Sequence, residues 1–428
     1  MAHGPTPAGA STGPSVAPAG HLSAWRFVVW FGVVAMLADV VYEGARSITG
    51  PLLAHLGASA LVVGVVTGVG EASAFVLRLV SGPLADRTGR FWAWAIAGYG
   101  LTVVSVPLLG LTSVLWVASA LIISERIGKA VRQPAKDTLL SHASAVTGRG
   151  RGFAVHEALD QAGALVGPLA VAGVLAVTGD DYGPALLTLA VPGALALALV
   201  VWLRVRVPRP ARYERGDTSA PAAPERTPRR ARGSGDAARL PGRFWVYAVF
   251  AGLTMTGFAT FGVLSFHLVS AGLLPASAVP VLYAAAMVVD AVAAVGTGWA
   301  YDRYGGVVLV FLPVAAALVP ALAFSGTLAP ALAGVLVWGA ALGMQESTLK
   351  ATVADLVGPD RRATAYGMFG AVVGVAAAAG GALAGGLYET SVPLLVAVTV
   401  ALQVVALVVL VRTLRRAPPG RAARRAPG

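Results

Sequence analysis

Apolar runs of about twenty residues recur along the chain, each closed by a short break rich in glycine, proline or charge. They fall near 25–50, 59–81, 91–110, 114–133, 152–177 and 183–204, and again near 244–269, 278–299, 306–325, 328–349, 363–387 and 391–412. A helix of about 20 apolar residues spans the hydrocarbon core of a bilayer. The pattern therefore predicts an all-α membrane protein with twelve transmembrane helices in two six-helix halves, 22–204 and 244–412. Barrel strands are excluded, because the runs exceed the roughly 9–11 residues such strands need. Residues 205–243, with six prolines and many arginines, read as a cytoplasmic linker. Residues 1–21, rich in Pro, Ala, Gly and Ser without apolar period, read as a disordered cytoplasmic N-terminus, and 413–428 as a basic cytoplasmic tail. The first segment is not a signal peptide, because no basic stretch precedes a short apolar core.

Composition supports a bilayer rather than water as solvent. The chain is 57% hydrophobic and 12% charged, with mean hydropathy +0.75, whereas a soluble domain carries about 25% charged residues. The net charge of +12 would suit nucleic acid, but its placement does not. Lys and Arg gather at alternate breaks (87–90, 129–151, 204–243, 303, 350–362 and 412–425), while the breaks near Gly57, Gly110, Asp181, Leu273, Gly326 and Glu389 have none. This positive-inside asymmetry places both termini in the cytoplasm, and the tail on anionic lipid. Only three of the 32 basic residues are lysine, a bias expected of a GC-rich bacterial genome and hence of a bacterial plasma membrane. With no cysteine, disulfides and thiol chemistry are excluded.

One nine-residue pattern occurs twice, 216 positions apart (302 minus 86): Gly82, Asp86, Arg87, Gly89 and Arg90, then Gly298, Asp302, Arg303, Gly305 and Gly306. A second echo relates Lys136–Gly163 to Lys350–Gly374, with Arg151 and Ala154 matching Arg362 and Ala365. Repeated halves in a membrane chain point to alternating access around a midplane site. In a short loop, glycines supply φ > 0 and Asp86 bonds backbone amides or a helix N-terminus. Arg87 and Arg90 then offer partners to carboxylates such as Asp137.

The duplicated pattern is similar to the loop between the second and third helices of the major facilitator superfamily. That resemblance covers about 25–412 and implies a secondary transporter, with the loop residues Gly82, Asp86, Arg87, Gly89, Arg90, Asp302 and Arg303 as a conformational latch. Gly163, Gly167 and Pro168 form a close-packing stripe that resembles part of the fifth-helix antiporter motif of drug–proton exchangers. Ala154 and Val171–Ala172 depart from that motif, so the match is partial. The stretches 39–47, 126–137 and 151–163 resemble a poorly characterised group of prokaryotic permeases.

Charges inside the membrane each need an explanation, because one costs about 2.5–3.5 kcal/mol at mid-bilayer on insertion scales. At about 100° per residue, Asp39, Tyr42, Glu43 and Arg46 share one face of the first helix. Glu71 and Arg78 share a face of the second, and Asp290 lies deep in the eighth without a basic neighbour in sequence. Two carboxylates four apart cannot both stay ionised cheaply, so Asp39 and Glu43 are expected to share a proton. Asp39, Glu43, Arg46, Glu71, Arg78 and Asp290 are thus the candidate proton-coupling set, weighed against static buried ion pairs. Tyr42, Arg126, Asp160, Phe258, Phe261 and Tyr283 are candidate cavity residues, with Tyr99 and Phe266 as further aromatics. Lys129, Arg132 and Lys136 are expected to reach the cytoplasmic headgroups, and His156 to pack. Gln345 and Glu346 occupy the corresponding end of the tenth helix.

No Gly-Lys-Ser/Thr loop, nucleophile elbow or metal-spaced histidine cluster occurs, so neither enzyme nor cofactor nor metal is expected. The expected partners are a small-molecule substrate, protons or another coupling ion, and lipid, with the chain a monomer. Three functions stay open: proton-coupled export of a small organic compound, ion-coupled import of a metabolite, and a non-transporting receptor using the same fold. The charge asymmetry makes one direct prediction: a reporter fused after Gly428 should be active only on the cytoplasmic side, and periplasmic activity would overturn the topology.

Overall fold

The computed structural model describes residues 22–215, 240–358 and 361–415. Residues 1–21, most of the linker and the tail from 416 lie outside the described residues, and with them the expectations made for those segments. The regular structure of the described residues is helical. Helices α1 (Ala24–His55), α2 (Ala60–Val76), α3 (Arg78–Thr88), α4 (Phe91–Leu109), α5 (Leu115–Thr147), α6 (Arg149–Thr178), α7 (Tyr182–Thr188) and α8 (Ala190–Arg206) form an N-terminal set. After the short α9 (Arg212–Arg215) come α10 (Gly242–Thr256), α11 (Phe261–Ser270), α12 (Val279–Tyr304), α13 (Phe311–Ala323), α14 (Leu328–Leu356), α15 (Arg362–Thr390) and α16 (Val392–Arg415).

Among the described residues, ten stretches are long and apolar enough to cross a membrane, so the chain is a multi-pass membrane protein. The difference from twelve has two physical sources. Helices α12 and α13 are joined by a 3₁₀ segment, Gly305–Val310, into one stretch, Ala276–Ala323. Helix α5 carries Glu125, Arg126, Lys129, Arg132, Lys136 and Asp137, too many charges for an apolar span. Several helices also depart from their expected limits. The second run breaks at Leu77 between α2 and α3, the sixth at Leu189, and the seventh at Gly257 after α10. The expected 82–90 loop is mostly helical, because α3 continues to Thr88 and only Gly89 (φ +62) turns the chain. Side chains such as Val177, Val295 and Trp116 lie on the outer surface, where lipid is as good a solvent for them as a core.

Matching pairs of helices pack in the two sets. Helix α1 lies on α6 as α10 lies on α15, α4 on α5 as α13 on α14, and α2 on α5 as α12 on α14. Across the sets, α2 packs on α15 and α6 on α12. The α2–α15 crossing brings backbones together: a Cβ on Gly64 would sit 2.0 Å from the Gly381 carbonyl oxygen, and one on Gly385 2.2 Å from that of Ala60. Only glycine fits such an approach. The same end carries two carboxylate clasps. Glu389, at the end of α15, accepts the Leu61 N–H at the start of α2 (2.8 Å). Asp180, after α6, accepts the Ser277 N–H just before α12 (2.8 Å). Leu61 and Ser277 are again 216 apart (277 minus 61). Each acid meets free backbone donors at a helix N-terminus, where negative charge is favourable. Thr67 and Thr260 add a hydrogen bond of 2.8 Å between the sets. This end of the molecule is sealed.

Gly381→Leu would drive a side chain into α2 and should hold the seal open, with Gly381→Ala milder. In this cysteine-free chain, a single cysteine at Thr67 should then react with a membrane-impermeant thiol reagent at least about tenfold faster, a population shift worth about 1.4 kcal/mol. Unchanged labelling would show that the crossing does not form the seal.

Candidate functional site: a charged central cavity

Between the two sets lies a cavity of about 320 Å³ walled by α1, α2, α5, α6, α10, α12 and α14. It begins beside the sealed crossing and runs toward the end that carries Gly148 and Gly358, where Phe153, Glu157 and Lys350 line it. The α1 charges lie on its wall because their common helix face can turn only to a polar space. Of the twelve candidate coupling and cavity residues, Asp39, Tyr42, Glu43, Arg46, Glu71, Arg78, Asp160, Phe258 and Asp290 line it.

Arg126, Phe261 and Tyr283 do not line it, a correction to their expected position. Arg126 sits one layer behind the wall. It donates to the Tyr42 hydroxyl and pairs with Glu71 (3.1 Å) and Glu125 (3.4 Å). Phe261 packs edge-on against Tyr283 (4.5 Å) and beside Trp338 (5.4 Å). The Tyr283 hydroxyl passes between the sets to donate to Glu43 (2.5 Å). Tyr99 is buried under the Arg132 guanidinium (4.9 Å), and Phe266 packs on Tyr388 (6.0 Å).

The two α1 carboxylates take different partners. Glu43 is held by Tyr283 and by Arg46 (3.7 Å), which also pairs with Glu71 at 3.0 Å. Asp39 faces Arg132 at 3.9 Å, with Arg132 anchored on Thr102 (2.7 Å). Among the described residues Arg46 thus pairs with Glu43 and not with Asp39. Arg78 lies over the Phe75 ring (5.6 Å) rather than on an acid.

The largest correction concerns α5. Lys129, Arg132 and Lys136 do not extend to headgroups. Lys129 Nζ sits 3.7 Å from the centre of the Tyr42 ring, Arg132 is buried on Asp39, and Lys136 pairs with Asp160 at 3.9 Å. Their spacing of three and four residues carries all three along one helical stripe, and pairing with acids on α1 and α6 outweighs the pull of the interface. Sequence reasoning missed Lys129, Gln133, Met255, Met287 and Trp338 as lining residues. The three-four spacing of Glu125, Lys129, Arg132 and Lys136 was the available signal for α5; an isolated Met or Trp in an apolar run offers none.

His156 is buried beside Phe31 (6.2 Å) and reaches the cavity. Gly163 and Gly167 let α6 approach α1: a Cβ on either would lie 2.3 Å from the carbonyl oxygen of Met36 or Val40. Pro168 continues within α6. The duplicated motif stands apart from the cavity. Asp86, Arg87 and Arg90 are exposed, and Asp86 makes no hydrogen bond or ion pair among the described residues, so the expected capping contact is not made in this state. In the second copy, Arg303 lies over Trp299 (6.0 Å), while Asp302 lies in the last turn of α12 before Gly305 (φ +67).

A sequence profile described as Major Facilitator Superfamily matches residues 35–380. Uncharacterised proteins of Mycobacterium tuberculosis and Mycobacterium bovis are 61% identical over 404 residues, covering 93% of this chain and 95% of theirs. An uncharacterised MFS-type transporter of Methanocaldococcus jannaschii is 29% identical over 141 residues, 33% of this chain and 35% of that one. Among solved structures, a mutant of the nucleoside transporter NupG superposes with TM-score 0.72 at 14% identity, over 90% of this chain and 99% of its own. A POT family transporter in complex with a thioalcohol-conjugated peptide superposes with TM-score 0.68 at 15% identity, over 91% and 96%.

The buried pairing around Arg126 predicts an asymmetric mutational response. Arg126→Met leaves Glu125 without its cation and Glu71 with Arg46 alone, and should cost about 3–5 kcal/mol, read as loss of thermal stability in detergent. Adding Glu71→Gln should restore part of it. Additive losses would show that the pair is not the stabilising unit.

Proposed function

Because the chain belongs to the major facilitator superfamily, we propose that it is a secondary active transporter of twelve spans in two six-helix halves, exporting a small organic compound in exchange for protons by alternating access. The observation that carries this reading is Glu43. It faces the cavity, holds Arg46, and is bound by Tyr283 from the opposite half, next to the sealed crossing. A proton arriving on Glu43 removes the charge that Arg46 and Tyr283 both hold. The bond between the halves weakens, and the seal can give way. Asp39, on Arg132, and Asp290, in the opposite wall, are the other carboxylates within the same space. Superfamily membership and the fold support transport; the partial antiporter stripe on α6 supports export.

In this reading the open end of the cavity, flanked by Arg87, Arg90, Arg151, Lys350 and Arg362, faces the cytoplasm as the positive-inside asymmetry requires. The Asp86 motif is a latch, disengaged while that end is open. Asp86→Asn should then slow turnover while leaving equilibrium substrate binding nearly unchanged.

Reconstituted vesicles test the coupling. Substrate should drive proton flux, and Glu43→Gln should abolish gradient-driven transport while downhill exchange continues. If Glu43→Gln and Asp39→Asn each kept full gradient-driven, pH-dependent transport, the α1 carboxylates would be structural.

A further inference from the structure

The two walls of the cavity differ in how their charges are answered. On the N-terminal wall each charge near the centre has a partner: Arg46 holds Glu43 and Glu71, Lys136 holds Asp160, Arg132 holds Asp39, and Lys129 lies on the Tyr42 ring. The C-terminal wall is different. Asp290, 4% exposed, has an Oδ1 without a hydrogen-bond partner. The same wall carries Met255, Phe258, Met287, Trp338 and Leu342, with Gln345, Glu346 and Lys350 beyond them along α14. Two further carboxylates, Glu346 and Glu43, line the same space. Arg46 faces it too, but is committed to Glu43 and Glu71. A buried carboxylate with mainly acidic neighbours lacks a cation.

Resting on the transport reading above, the geometry points to an organic cation with an apolar or aromatic body as the substrate class, its charge set on Asp290 and its body against the Met–Phe–Trp wall. The wall suits such a ligand for separate reasons. Two thioethers repack around varied shapes, and the Phe258 and Trp338 rings, stacked at 6.2 Å, offer π-faces to a desolvated cation. A space of about 320 Å³ lies at the lower end of small-molecule sites. An anion at this wall would meet Asp290, Glu346 and Glu43 together, while Arg46, which faces the same space, already holds Glu43 and Glu71.

Shape and charge can be separated with tetraphenylphosphonium and tetraphenylborate, which share a shape and differ in sign. Binding of each to the full chain in nanodiscs would be measured for the native protein, Asp290→Asn and Asp290→Glu, with thermal melting to confirm folding. The phosphonium should bind, the borate should not, and Asp290→Asn should weaken phosphonium binding about tenfold or more, with Asp290→Glu within about threefold of native. Equal binding of both ions, or full phosphonium affinity in a folded Asp290→Asn protein, would overturn the cation assignment. Spin-label distances between cysteines at Gly57 and Gly272 report opening of the sealed end in the same samples. A chain that opens and closes without discriminating charge overturns the substrate class alone. A chain that binds the cation but never opens overturns transport and leaves the binding site standing.

Discussion

An ionised side chain surrounded by lipid persists only where opposite charge and hydrogen bonds replace its lost water. Arg126 is the centre at which this chain meets that condition. It joins Tyr42 of α1, Glu71 of α2 and Glu125 of α5, and Glu71 passes the connection to Arg46 and from there to Glu43. Through Tyr283 the same line of contacts reaches α12. Four helices are therefore registered by polar contacts that the apolar effect cannot supply in a bilayer. Removing one member strands the rest, so these positions constrain one another more tightly than the valine-rich surface constrains its own.

The remaining association rests on backbone proximity. Where α2 meets α15 and α6 meets α1, glycine permits main chains to touch, and dispersion over those contacts takes the place of a hydrophobic drive. Charge lines the cavity, and glycine makes the close crossings beside it and at the sealed end. At the sealed end the α2–α15 crossing is made by glycine, and the two carboxylates there, Glu389 and Asp180, are answered by backbone N–H groups. That contrast lets one molecule hold a polar path and a tight barrier a few helical turns apart.

The helical class and the inward face of α1 could be read from the sequence, because each depends on a period or a run extending over many residues. The α1 cluster was decisive: four polar side chains on one face have only one place to go. Helix α5 was harder. Its Lys129, Arg132 and Lys136 are long enough to reach an interface, and only the partners they meet, Tyr42 and Asp39 on α1 and Asp160 on α6, decide against it. Asp39 lies 93 positions before Arg132 and Asp160 lies 24 after Lys136, so only in the folded chain do these groups become neighbours. Tyr283 was legible as an aromatic in an apolar run, yet its reach to Glu43, 240 residues away, has no local signature. The cavity's Met and Trp residues were hidden for the same reason: composition does not tell which side of an apolar helix faces a space.

The two acid clasps at the closed end have an evolutionary consequence. In each, one side is a side chain, Glu389 or Asp180, and the other is a main-chain N–H, of Leu61 or Ser277. A backbone donor is supplied by any residue except proline, so half of each contact is indifferent to substitution. The receiving positions are free to drift while the acids are held. Paired changes between sequences would leave no trace of either contact, although both join distant parts of the chain.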